Sequence, residues 1–460
     1  MRRPSPAPST RSVRLSRFFS VPGSRLAPGA LAAVAVLACG GDDGGVAVTR
    51  ADSAGVEIVT SPAADRPLGW TLEEEFRLGG MDEGPQSFVS VNFDEVGADA
   101  DGDLYVLDRQ SHRVVVFGPD GSHLRSMGSE GEGPGELRFP VSFAVRGDGT
   151  AAVFDIGKGS MVFFGPDGGV LPQHPFTFYT EPGTLRHFAL TPEGYAVARG
   201  MAGEDDDLRK IELRAWPEPS LTETSGAATK GDEAGDSSRD PGGPEVTAPD
   251  TVILTELRLP NPDMADFGCM RIALQPLFTP VVQWDSEGST LVATSDVSYR
   301  VDVFDLDGTH RRSIRRDLPF RIATEAQAVA EAGTGMRMRS SAGTCEATPA
   351  EVVEARGYAS QIPAIRNVLL APSGELWVAR LIPGASADGT PEPIDVFDPT
   401  GAYLGTLPEG TPFPLLLLPD GRVAYAEKDA LDVERLVIAR VERRTSSDAA
   451  DDGSGPGTAG

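Results

Sequence analysis

Apolar and polar positions alternate in short runs along most of this chain, and turns cut the runs at regular intervals. Alternation with period two is the signature of half-buried strands. One pattern recurs six times: an apolar strand, a tight turn closed by glycine, then a second β-rich strand. The turns fall at Asp101-Gly102, Asp148-Gly149, Glu193-Gly194, Glu287-Gly288, Ser373-Gly374 and Asp420-Gly421. The strands that follow include Leu104-Tyr105-Val106, Ala151-Ala152-Val153, Tyr195-Ala196-Val197, Thr290-Leu291-Val292, Leu376-Trp377-Val378 and Val423-Ala424-Tyr425. Successive turn glycines are 47, 45, 94, 86 and 47 residues apart. A period in the forties with four strands per unit predicts an all-β propeller of six blades.

Each unit can be read in more detail. In the clearest one, Val96–Ala98 belongs to the inner strand, Leu104–Leu107 to the second, Arg113–Phe117 to the third and Ser122–Gly128 to the outer strand. The third strand repeats as 161–164, 301–304 and 394–397, each followed by a turn such as Gly118-Pro119-Asp120-Gly121. Proline presets φ in such turns and glycine tolerates positive φ.

The two long gaps have separate causes. Residues 217–250 are rich in Gly, Ser, Thr, Pro, Asp and Glu and nearly free of large apolar side chains, the composition of a disordered insert. Residues 323–361 read as a small helical insertion on the top face. Ala, Glu and Met are frequent there, and Thr348-Pro349-Ala350-Glu351 is a helix start. The last unit shows only three strands, so Leu72–Leu78 is expected to complete it and close the ring, which removes the exposed edges.

Composition changes the picture at the N-terminus. The first 39 residues hold six Arg and no acid, and Leu26–Ala38 is small and apolar. That run is shorter than the ~20 residues a membrane-spanning helix needs, and it fits the apolar region of a secretion signal. It ends Val36-Leu37-Ala38-Cys39 before a Gly- and Asp-rich stretch. This resembles the bacterial lipoprotein signal, which implies lipidation of Cys39; an ordinary cleaved signal is the alternative. The domain reading is therefore signal peptide 1–39, flexible tether 40–54, six-bladed propeller 55–442 and disordered tail 443–460.

The formal charge is −27 over 460 residues. A surface of that sign repels nucleic acid and anionic headgroups, so no nucleic-acid partner is expected. Cys269 and Cys345 remain after Cys39, an even pair in an oxidising compartment. Both fall in loops on the same face of adjacent blades. They are expected to form a disulfide that ties the insertion down, with two free thiols as the alternative.

The chain resembles the bacterial six-bladed β-propeller family related to NHL-repeat proteins. The residues that carry this are Gly131-Glu132-Gly133-Pro134-Gly135-Glu136-Leu137, Asp101 to Asp108, and His112-Arg113-Val114-Val115-Val116-Phe117. The match covers most of residues 70–442 and is sharp only around 94–140. A seven-bladed count is the structural alternative.

Candidate chemistry follows from register. Seven residues before the turn glycines stand Glu95, Ser142, His187, Val281, Asn367 and Pro414, with Asp94, Arg186 and Arg366 one residue earlier. These belong near the channel rim. Arg109 and His112 lie in a loop on the same face. Glu95, Arg109, His112, Arg186, His187, Arg366 and Asn367 are therefore the candidate ligand-binding residues.

No catalytic set stands out. Some six-bladed relatives are calcium-dependent lactonases, which need converging Glu, Asp and Asn oxygens, but of Asn92, Asn261 and Asn367 only Asn367 maps to the inner ring. Zinc held by several His is not supported either, since His123 and His310 fall on outer strands. No cofactor or metal site is predicted. The expectation is a monomeric, extracytoplasmic, lipid-anchored binding or scaffold module in the cell envelope. It would be held at the outer membrane and meet a protein, peptide or glycan. A metal-dependent hydrolase or lyase using the channel, with calcium, is the alternative.

Overall fold

The computed structural model describes residues 48–81, 84–88, 90–175, 188–192, 194–202, 208–217, 252–260, 262–340, 343–385, 389–430 and 433–444. The segment read as a signal peptide with Cys39, most of that read as a tether, the residues beyond Pro217 read as an insert, Arg186, His187 and the residues after Arg444 lie outside them.

The described residues are mostly β. Six antiparallel sheets each contain a four-strand unit. The first sheet comprises Val96–Ala98, Leu104–Asp108, Arg113–Phe117 and His123–Met127. The second comprises Pro140–Val145, Ala151–Asp155, Ser160–Phe164 and His174–Pro175. The third comprises Phe188–Thr191, Gly194–Ala202, Leu208–Pro217 and Val252–Pro260. The fourth is built on Gln283–Glu287, Thr290–Thr294, Arg300–Asp305 and His310–Arg316. The fifth comprises Ile365–Leu370, Leu376–Arg380, Ile394–Phe397 and Tyr403–Thr406. The sixth comprises Leu416–Leu417, Arg422–Lys428, Glu434–Arg444 and, from the other end of the chain, Gly69–Leu78.

The first strands of the six sheets touch in cyclic order, the first sheet meeting the second and so on until the sixth meets the first. The core follows the same ring, because each pair of neighbouring sheets shares an apolar cluster. Tyr105 and Val116 of the first sheet pack on Phe143 and Val153 of the second. Phe154 joins the second to Phe188 and Val197 of the third. Ala196 meets Trp284 of the fourth, and Val301 meets Val368 and Phe397 of the fifth. Trp377 meets Trp70 and Ala439 of the sixth, the two indoles 6.4 Å apart. The last junction joins Leu436 and Ile438 to Val106 and Phe117 of the first sheet. Alternate residues of each strand thus feed two different junctions, so a sheet buried on both faces reads as apolar throughout.

The N-terminal stretch departs from expectation in one respect. Residues 40–54 were read as a tether, yet Thr49–Ser53 is a strand paired with Val56–Ser61 across the Ala54-Gly55 turn. Ala54 and Gly55 both take positive φ, 56° and 86°, as a tight hairpin demands. Val56–Ser61 then adds in parallel to His310–Arg316 and covers the outer edge of the fourth sheet. At the other end, the tail expected from residue 443 begins later, because Arg443 and Arg444 pair with Trp70 and Gly69.

Between these two N-terminal elements, residues 62–68 run as a strap held by Arg316, whose side chain is fully buried. Its Nη1 donates to Asp395 Oδ2 at 2.8 Å, and its Nη2 donates to the carbonyls of Ala63 and Ala64 and to Asp65 Oδ1 at 2.9–3.0 Å. Asp395, equally buried, accepts further bonds from Tyr299 Oη (2.8 Å) and Thr406 Oγ1 (2.7 Å). Arg380 completes the strap with two bonds to Asp65. A buried ion pair is tolerable only when satisfied in this way. Among the described residues no helix is long and apolar enough to cross a membrane.

Two outcomes are expected. Ile438→Ala, at the closing junction, should lower the unfolding free energy by about 2–5 kcal/mol in urea titration. Leu124→Ala, on an exposed outer strand, should stay within about 0.5 kcal/mol of wild type. The strap gives a pH signature. Burial alone would raise the Asp65 pKa, but bonds from Arg380 and Arg316 outweigh it and hold it below the usual carboxylate range. Stability from Asp65 is therefore present above the unfolded-state value and lost as pH falls through the folded one. The unfolding midpoint should drop on acidification below about pH 4, and Asp65→Asn should flatten that limb. An unchanged limb in the variant would remove Asp65 from the account.

Candidate functional site

Three of the candidates, Glu95, Arg109 and His112, meet in one groove. It lies at the end of the first sheet, beside the start of the second, and encloses about 380 Å³. Four stretches build it. The loop after Gly69–Leu78 contributes Phe88, Ser90 and Asn92; a 3₁₀ turn, Phe93–Glu95, delivers Glu95; the turn between the second and third strands gives Asp108 to His112; and Phe139-Pro140 opens the second sheet.

Glu95 is the pivot. Its side chain is only 4% exposed. Oε2 accepts from Asn92 Nδ2 at 3.0 Å and Oε1 from Arg109 Nη1 at 3.3 Å. Arg109 is half-exposed and is steadied by a bond from Nε to the Pro140 carbonyl at 3.1 Å. Asp108 is as buried as Glu95. It accepts from Arg113 Nε at 3.1 Å and from the Ser111 amide at 3.2 Å, which folds the turn that carries Arg109 and His112. His112 itself has φ +54°, an uncommon conformation for a residue with a Cβ. Gly128, also at positive φ, approaches its carbonyl so closely that a Cβ there would lie 3.2 Å from that oxygen. Phe139 lines the groove at 54% exposure, whereas Phe88 is buried.

A second, smaller cavity of about 100 Å³ lies between the fourth and fifth sheets under the insertion. The insertion was read as helical over 323–361. The structure has two short helices, α1 (Glu325–Glu331) and α2 (Pro349–Arg356), separated by a hairpin of Met336–Ser340 and Gly343–Ala347. Both helices begin in capping boxes, at Thr324 with Gln327 and at Thr348 with Glu351. Between them, Met and Arg alternate in Met336-Arg337-Met338-Arg339, a period-two pattern that composition alone conceals.

Apolar packing, a disulfide and a charged clamp fix the insertion. Ala328 and Val353 pack with Phe278, Ile362 and Leu381. Cys269, in the turn of the hairpin Asp263–Asp266 and Arg271–Leu274, is bonded to Cys345 with Cα atoms 5.7 Å apart. Arg366 donates through both terminal nitrogens to Glu331 of α1 at 2.7 and 3.1 Å and through Nε to Glu392. Burial pushes the Glu392 pKa up despite Arg366 beside it. Arg366 thus lines the smaller cavity and not the groove; its place at a bulge between Ile365 and Asn367 aligns it with the insertion. Asn367 is buried, with Oδ1 accepting from the Val368 amide and Nδ2 lacking a partner. Arg186 and His187 lie outside the described residues.

Register alone missed Asn92, Gln110 and Phe139, which come from loops. The departure of the Arg109-Gln110-Ser111-His112 turn from a plain Gly turn was the available signal. Among the described residues, no group of three or more His, Cys, Asp or Glu side chains could hold a metal ion.

No family model matches the sequence, and no curated protein does. Solved structures similar to this chain include a Bacteroides fragilis protein inferred to be exported (12% identity, 84% of this chain and 99% of that one, TM-score 0.41). A DUF4221 member from Bacteroides vulgatus has 12% identity, 82% and 99% coverage and a TM-score of 0.42. Regucalcin from Agrobacterium tumefaciens, a calcium-binding protein, has 13% identity, 82% and 96% coverage and a TM-score of 0.32.

The cystine closes a loop across 76 positions. Replacing both cysteines with serine is expected to cost about 2–4 kcal/mol of unfolding free energy. A thermal midpoint unmoved by the double substitution would show that packing and the Arg366 clamp hold the insertion without it.

Proposed function

We propose that this chain is a lipid-anchored six-bladed β-propeller of the cell envelope that works as a binding or scaffold module. A protein, peptide or glycan would be held in the groove of the first sheet. The observation that carries this reading is the state of the groove's carboxylates. Glu95 and Asp108 are each bonded to an arginine and to a second donor. A general base needs a carboxylate able to take a proton from substrate, and here both are committed to positioning neighbours. The groove is formed in advance, with Asn92, Glu95 and Arg109 held in place by hydrogen bonds, as binding sites require.

The anchor also suggests an orientation. Nine residues separate Cys39 from the strand Thr49–Ser53, a reach of at most about 30 Å. That strand caps the fourth sheet, and in a ring of six the fourth sheet stands opposite the first. A lipid on Cys39 would hold the fourth sheet's rim near the bilayer and turn the groove away from it.

Fractionation and chelation test the reading. Cys39→Ser should move the protein from the membrane to the soluble fraction and abolish labelling by a fatty-acid probe. Treatment with EDTA should leave the thermal midpoint where it was. A midpoint that falls on chelation and returns with calcium would replace the binding module with a metal-dependent hydrolase or lyase.

A further inference from the structure

The charge balance of the groove narrows the chemistry of its ligand. Each buried carboxylate already has its cation, Glu95 with Arg109 and Asp108 with Arg113. A cationic ligand would have to displace one of these guanidiniums from a group that is almost wholly shielded from water. An anionic ligand reaching Arg109 would sit against Glu95. Displacing a guanidinium leaves a carboxylate buried without its partner, at high cost.

What the groove offers beyond these pairs is dipolar. Asn92 keeps its Oδ1 as an acceptor, since its amide nitrogen donates to Ser90 and Glu95; Gln110 carries a donor and an acceptor, and the His112 imidazole carries one of each when neutral. The side chains of Gln110 and His112 have no hydrogen bond to other described residues. Beside them stands Phe139, a large ring more than half exposed on an otherwise polar rim. A volume of about 380 Å³ falls at the lower end of ordinary small-ligand sites, ~300–1,000 Å³.

A ligand suited to those walls is uncharged, carries hydroxyls around its edge and has a flat apolar face. We infer that the groove binds a neutral carbohydrate of one or two sugar rings. The C–H face of a ring lies on Phe139, and its hydroxyls bond to Asn92, Gln110 and His112, with the outer edge of Arg109 as a further donor. The inference rests on the reading of the groove as a binding site and specifies its ligand class. Aromatic stacking supplies area without charge, and the Asn92 amide, held by Ser90 and Glu95, helps select the hydroxyl pattern, because a polar group left unpaired on binding is penalised.

Saturation-transfer NMR on the folded protein tests this. The probes are four neutral disaccharides (maltose, cellobiose, lactose and chitobiose), together with digalacturonate and a lysine-containing tetrapeptide. At least one neutral disaccharide is expected to bind saturably. Phe139→Ala and Gln110→Ala should each weaken it by about tenfold or more, a shift of ~1.4 kcal/mol. Both side chains are exposed, so both variants should keep the wild-type thermal midpoint. Leu124→Ala, away from the groove, should bind as wild type does. Binding of digalacturonate or the peptide alone, weakened by Phe139→Ala, would overturn the carbohydrate assignment and leave the groove standing as a binding site. Binding of a disaccharide that neither groove variant affects would overturn the site. Absence of binding by every probe would overturn both.

Discussion

The pairing of Gly69–Leu78 with Glu434–Arg444 governs this structure. Six twisted sheets in a row would present two open edges and two uncovered apolar faces, one at each end. The N-terminal strand completes the sixth sheet and brings Leu78 into the same cluster as Leu436, Ile438, Val106 and Phe117. Once that contact exists, each of the six junctions has two walls. The outer edges still need cover, and at the fourth sheet Val56–Ser61 provides it. Arg316 and Asp395 then lock the strap between these two N-terminal elements against the fourth and fifth sheets. The first residues described thus take part in three of the six sheets' surroundings.

Such a ring leaves freedom mainly at the loops. Two groups of loops use it differently. Between the fourth and fifth sheets the insertion is pinned by Cys269–Cys345, by Arg366 between Glu331 and Glu392, and by the packing of Phe278 and Val353. That region is spent on holding itself together. Near the first sheet, charged pairs position a turn and leave a concave surface beside it. Glu95 and Asp108 do the same mechanical work as the clamp on the opposite side, but the turn they support carries Arg109, Gln110 and His112 to solvent. Among the described residues, three non-glycine residues take positive φ, and two of them, His112 and Phe278, mark these two loop regions.

Much of the fold was legible because its strands are specified locally. A run such as Leu104–Asp108 with Arg113–Phe117 needs only its own alternation and the turn between them. The hairpin Thr49–Ser53 with Val56–Ser61 was hidden for the opposite reason. Its partner strand, His310–Arg316, lies some 250 positions away, as the bond from Arg312 to Glu57 shows, and local pattern carries no record of so distant a partner. In the insertion, Ala and Glu content suggested helix while the Met–Arg alternation at 336–339 set a strand. The site was half legible. Counting back from the turn glycines located Glu95 and Arg366 equally well, but a bulge committed Arg366 to Glu331 and Glu392. Phe139 and Asn92 belong to loops, whose course follows from tertiary contacts and not from period.

The closing strand pair also sets a clock. Glu75 finds Arg440 only after 365 further residues have been made, which at the ribosome's pace of about 5–20 residues per second takes roughly 20–70 s. Through that interval Trp70, Phe76 and Leu78 have no partner strand, and the first sheet lacks the wall that Leu436 and Ile438 will form. A nascent chain of this design has no finished intermediate with a buried core at both ends. Residues 69–78 stay unpaired until the last strand is delivered, so what shields them during synthesis bears on its yield as directly as any contact in the finished ring.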